Sequence, residues 1–135
     1  MRTLCLASAV CIAMTGLALA EPFQEVTVGV PVASIAKAEA WYLNLLGSDV
    51  EVIKPFPGVV EFKVAPGVWL QIFEADDQQP TGAIVRFLVD DMNAAQGQRT
   101  NVGINTGEAI EVPSVVTFSE FSDPDGNALG LYALP

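Results

Sequence analysis

The sequence predicts an α+β fold: two βαβββ modules forming a cup-shaped mixed sheet, with the helices on its convex side. Three observations lead there. A strictly alternating segment at Glu25 to Val32 is followed by helical spacing and then by three strand-like runs, and the same order returns in the second half. The halves align by residue type at a nearly constant offset: Val32 with Val89 at 57, Val59-Val60-x-Phe62 with Val115-Val116-x-Phe118 at 56, Leu70-Gln71-Ile72-Phe73 with Leu129-Gly130-Leu131-Tyr132 at 59, and Gly47 with Gly103 at 56. Finally, Asp123-Pro124-Asp125-Gly126-Asn127 specifies a tight turn between two strands. Pro124 sets φ, the aspartates can bond their own backbone, and Gly126 and Asn127 tolerate φ > 0, so the register of both strands is locked.

In chain order, Val26, Val28, Val30 and Val32 share one face of the first strand, with Thr27 and Gly29 on the other. Ser34 is an N-cap candidate. Ile35, Ala38, Trp41, Tyr42, Leu45 and Leu46 then follow helical spacing up to Gly47 at the C′ position, and the aromatic pair reads as core. Three strands are expected next, at Asp49 to Ile53, Val59 to Val64 and Val68 to Glu74, separated by Pro- and Gly-containing turns. After the polar loop Ala75 to Pro80, Ala83 to Val89 is a strand. Asp90-Asp91 starts a weaker helix through Met92 and Ala95, interrupted by Gly97. Ile104 to Val112 is a loose strand region, Val115 to Phe121 a clear strand, and Ala128 to Tyr132 the last. The modules therefore run approximately over residues 25–76 and 82–133 of one domain spanning 21–135.

Residues 1–20 are set apart as a secretory signal peptide: Arg2 as a basic start, an apolar run from Leu4 to Leu17, and Ala18-Leu19-Ala20 as the cleavage site. The run is short for a membrane span, so no stable anchor is expected after cleavage, and the destination is periplasmic or secreted. Both cysteines, Cys5 and Cys11, fall in this leader, leaving a mature chain without thiol or disulfide. The 135 residues contain no histidine; with Arg2 gone, 5 basic residues face 16 acidic ones, a net −11. That sign excludes nucleic acid as a partner. The absence of His and Cys removes the serine triad and the thiol nucleophile, and no glycine-rich phosphate loop or dinucleotide fingerprint is present.

Val30-Pro31-Val32-x-Ser34-Ile35-x-Lys37-Ala38-x-x-Trp41-Tyr42-x-x-Leu45-Leu46-Gly47 resembles the opening motif of the vicinal oxygen chelate superfamily, the glyoxalase, bleomycin-resistance and extradiol-dioxygenase proteins. Asp123-Pro124-Asp125-Gly126-Asn127 resembles its closing motif. The resemblance implies paired βαβββ modules, a cup-shaped site, a homodimer and often a divalent metal held by His or Glu at four inward strand positions. Those positions are Thr27, Gln71, Ile84 and Gly130 here. None is a carboxylate, imidazole or thiolate, so the expectation is no metal and no other cofactor.

By alternation, Trp69 and Phe73 share a face with Gln71, Arg86 and Leu88 with Ile84, and Ala128 and Tyr132 with Gly130. The candidate ligand-binding residues are therefore Thr27, Trp69, Gln71, Phe73, Arg86 and Tyr132, an apolar and aromatic set with few polar groups. Arg86 is either a clamp for an acidic or carbonyl-bearing ligand or the partner of Glu61, Glu74 or Glu120. The catalytic residues are unknown; general acid or base work would fall to Glu61 or Glu120. The expected function is binding of a small organic molecule by an exported homodimer. The alternative is a lyase, isomerase or dioxygenase-type enzyme with a displaced or metal-independent site, and a third reading is a structural partner with a closed cup.

Overall fold

The computed structural model describes residues 23–77 and 79–135. The leader expected over residues 1–20 lies outside the described residues. The elements are β1 (Val26–Val32), α1 (Ile35–Leu46), β2 (Val52–Ile53), β3 (Val59–Ala65), β4 (Val68–Glu74), β5 (Ile84–Leu88), α2 (Met92–Thr100), β6 (Ile110–Val112), β7 (Val116–Ser122) and β8 (Ala128–Ala133). They form two four-stranded mixed sheets, ordered β1-β4-β3-β2 and β5-β8-β7-β6. In each, the last strand pairs parallel with the first and antiparallel with the third. This is the predicted βαβββ unit, twice. None of the described helices is long and apolar enough to cross a membrane.

α1 forms where the apolar spacing predicts it and stops at Gly47, whose φ of 101° suits glycine and whose N–H returns to Leu43 O at 2.9 Å. α2 runs through Gly97, held at its start by Asp91, which accepts from Ala94 N at 2.8 Å. Two strands are shorter than expected. Of Asp49 to Ile53 only Val52–Ile53 pairs, and of Ile104 to Val112 only Ile110–Val112. In the second case Asn105 accepts from Gly107 N at 2.9 Å, and Gly107 adopts φ 76°; this local turn competes with the sheet.

The helix-bearing faces of both sheets feed one core. Val30, Val32, Phe62, Leu70 and Ile72 of the first sheet, Ala38, Tyr42 and Leu45 of α1, and Leu129 of β8 form a single buried cluster, with Val85, Phe87 and Phe121 packed against it. Met92, Ala95, Leu131 and Ala133 extend the core beneath α2. Pairing corrects one detail of the repeat. Val60 faces Ile72 and Ser119 faces Leu131, so β3 and β7 correspond at an offset of 59, and Phe62 matches Phe121. The apparent offset of 56 differs by an odd number and therefore inverts the face. Val116 and Phe118 consequently lie on the side away from the helices, while Ser119 is buried on the helix side.

The closing turn does more than fix a hairpin: it joins the modules. Asp123, 5% exposed, accepts from Tyr42 Oη at 2.7 Å, from Asp125 N and Asn127 N at 2.9 Å, and from Asn127 Nδ2 at 2.8 Å. Asn127 Nδ2 also donates to Pro31 O at 2.8 Å, and Ala33 N donates to Asp125 at 3.2 Å. Burial, and then the charge of Asp123, push the Tyr42 hydroxyl far above the ordinary tyrosine range, so it stays a donor.

Candidate functional site

Each sheet keeps an open face, opposite its helix. On the first, paired positions put Thr27 and Gly29 of β1, Trp69, Gln71 and Phe73 of β4, and Val59, Glu61 and Lys63 of β3 together. Gln71 Nε2 donates to Glu61 Oε1 at 2.6 Å. Lys63 stands 5.4 Å from the Trp69 ring centroid and pairs with Glu51 at 3.2 Å. Trp69 is buried, its Nε1 without an acceptor among the described residues, whereas Thr27 is exposed. A hollow of about 440 Å³ opens beside Gln71 and Phe73, bounded by the Phe56-Pro57-Gly58-Val59 turn and Glu74.

On the second sheet one row is wholly apolar from edge to edge: Leu88 pairs with Tyr132, Tyr132 with Phe118 and Phe118 with Ile110. The adjacent row is Arg86, Gly130 and Glu120. Arg86 Nη2 donates to Glu120 Oε1 in a short ion pair across Gly130. A Cβ at residue 130 would lie 2.9 Å from Ser119 O and 3.0 Å from Arg86 Cγ, so only glycine lets the guanidinium cross there. A hollow of about 290 Å³ is lined by Arg86, Val116, Phe118 and Tyr132.

The six sequence-derived candidates thus divide. Gln71 and Phe73 line the first hollow, Arg86 and Tyr132 the second, and Thr27 and Trp69 line neither. Of the two readings of Arg86, the structure shows the pair with Glu120. Gly130 does not leave empty space for a ligand, because the Arg86 side chain occupies it. Sequence reasoning missed Val116 and Phe118 as open-face residues. Counting strand parity back from the Asp123 turn, where Ser122 pairs with Ala128, would have found them.

The four strand positions that the sequence resemblance marks for metal ligands carry Thr27, Gln71, Ile84 and Gly130. A hydroxyl and one amide oxygen are a poor donor set for a divalent ion. Among the described residues there is no group of three His, Cys, Asp or Glu side chains able to hold a metal. The residues present do not fit such an ion.

By sequence the chain matches no protein-family model and no curated relative. By structure it is similar to a glyoxalase/bleomycin resistance protein from Catenulispora acidiphila, with TM-score 0.71 and 23% identity over 82% of this chain and 98% of that one. An antibiotic binding protein from Streptomyces gives 0.68 at 23%, covering 85% and 97%. Lactoylglutathione lyase from Agrobacterium tumefaciens gives 0.66 at 19%, covering 84% and 95%.

Proposed function

From a chain with the vicinal oxygen chelate fold of the glyoxalase, bleomycin-resistance and dioxygenase proteins, we propose an exported, metal-free protein that binds a small neutral aromatic or amphipathic molecule, in a cup completed by a second copy. The observation that carries this is the hollow on the second sheet. Its walls are Val116, Phe118 and Tyr132, and its one cation, Arg86, is already answered by Glu120. An acidic ligand would have to displace Glu120 from Arg86. A flat apolar ligand need not. An antibiotic binding protein is built on the same fold, so the frame can serve binding.

A second copy would cover the exposed apolar side chains of the second sheet. Ile84, Leu88, Ile110, Val112 and Val115 stand 40–57% exposed on or beside the open face of the second sheet. An apolar row of this extent is a liability on a lone exported chain, and covering it would also close the hollow. Export itself rests on the leader read in the sequence, with Glu21 as the first mature residue.

The test is native mass spectrometry of the protein recovered from its own host, which should arrive as a dimer beginning at Glu21 and carrying a neutral organic molecule. Phe118→Asp should yield monomer without ligand. Calorimetry with zinc, nickel and manganese should show no tight site; tight uptake of one ion per subunit would overturn the reading.

A further inference from the structure

A third hollow, of about 400 Å³, opens between the two modules on the side of the helices. It is separate from both open-face hollows and lies within the usual range for small-ligand sites, roughly 300–1,000 Å³. Leu45 of α1, Val50, Val64 of β3, Phe87 of β5 and Leu131 of β8 give it apolar walls. Three charged groups also border it: Lys63, Asp49 and Arg99. Lys63 is paired with Glu51, and Asp49 is exposed and accepts from Ser48 at 3.5 Å.

Arg99 is the unusual one. Lys54, Lys63 and Arg86 each meet a carboxylate, at Glu39, Glu51 and Glu120, and Lys37, which meets none among the described residues, is exposed, whereas Arg99 is partly buried. Arg99 has no carboxylate within ion-pair distance among the described residues, although acids outnumber bases 16 to 6 in the chain. Its Nε donates to Leu45 O at 3.1 Å, and Nη1 to Ala95 O at 3.2 Å and Gln98 Oε1 at 3.0 Å; Nη2 makes no bond among the described residues. Partial burial lowers its proton affinity, the direction expected of a cation that lacks a counter-charge. The bond to Leu45 O orients the guanidinium at the cavity and leaves one Nη free to receive an anion.

We propose that this inter-module cavity is a second small-molecule site, taking a monocarboxylate with a short apolar body: the carboxylate on Arg99, the body against Val64, Phe87 and Leu131. It is independent of the open-face cup.

Hexanoate is the probe and hexanol its uncharged control, with chemical shifts of the protein's amides and methyls followed by NMR. Saturable shifts are expected at Leu45, Val64, Phe87 and Leu131, with Ile110 and Phe118 unmoved. Arg99→Met should weaken hexanoate by about tenfold or more, the value of one charge-assisted contact. Lys54→Met, which removes an equal charge elsewhere, should leave it unchanged. Arg99 also links the modules, so Val64→Phe supplies an independent variant: it fills the cavity without altering charge and should abolish the shifts. Hexanol binding as tightly as hexanoate, shifts confined to the open faces, or no saturable response would each overturn the proposal.

Discussion

In the first sheet Gly29, Gln71 and Glu61 stand in one row across β1, β4 and β3; in the second, Arg86, Gly130 and Glu120 stand in the corresponding row across β5, β8 and β7. The glutamate is common to both. Its donor comes from the middle strand in one sheet and from the outer strand in the other, and each row carries glycine where its counterpart carries a long side chain. The same backbone frame thus satisfies one carboxylate in two ways: a neutral amide from beside it, or a guanidinium reaching over a residue with no side chain. The glycines are therefore not spare room for ligand. Gly130 is needed by Arg86, and Gly29 lies under the Phe73 ring.

The two halves share one joint, and breaking it should have the largest effect. Asp123→Ala removes the acceptor for four hydrogen bonds, two of them to buried side chains. It should cost about 3–4 kcal/mol in urea unfolding and lower both sheets together. The same joint sets an alkaline limit. The native chain keeps the Tyr42 proton well above pH 10, whereas the unfolded chain releases it near the ordinary value of 10.0. The unfolded state then binds fewer protons. Stability is therefore full below that pH and falls above it by about 1.4 kcal/mol per pH unit. Tyr42→Phe should flatten this fall, at a cost of about 1–2 kcal/mol at neutral pH.

Smaller substitutions sharpen the contrast between the sheets. Gly130→Ala should cost about 1–3 kcal/mol and release Arg86 from Glu120, because backbone as well as side chain must give way. Gly29→Ala meets a Phe73 ring carbon at 3.3 Å and should stay within about 0.5 kcal/mol, the ring yielding and the stiffer unfolded chain offsetting the contact. Thermal unfolding of the two variants side by side decides this. The helices repeat the asymmetry. Asp91→Ala, which removes the Ala94 N cap of α2, should cost about 1 kcal/mol. Ser34→Ala should cost no more than a few tenths, since Ser34 makes no side-chain cap bond and Ile35 N donates instead to Glu74 Oε2 at 3.0 Å.

Where local pattern and tertiary burial agree, the chain could be read directly. β1 alternates because one side is core, and α1 carries its apolar stripe from Ile35 to Leu46 and ends at the only residue type suited to φ 101°. The open face of β4 was legible for the same reason, since Leu70 and Ile72 must face the core and Trp69, Gln71 and Phe73 therefore cannot. The second half was less transparent. Its open face is as apolar as a core, so Val116 and Phe118 imitate Val60 and Phe62 and invite the offset of 56, while the true counterpart of Val60 is the buried Ser119. The joint at Asp123 was visible only as a turn. Its bonds to Tyr42 and Pro31 depend on partners 81 and 96 residues away, which no local pattern encodes.

The row through Gly130 also bears on how such a chain could change. A glutamate placed there would meet a main-chain oxygen and the occupying Arg86 side chain before it could serve any ion. Arg86 would have to leave first, stranding Glu120. The two positions are therefore coupled: a longer side chain at 130 fits only once residue 86 is shortened, so neither substitution can be judged alone.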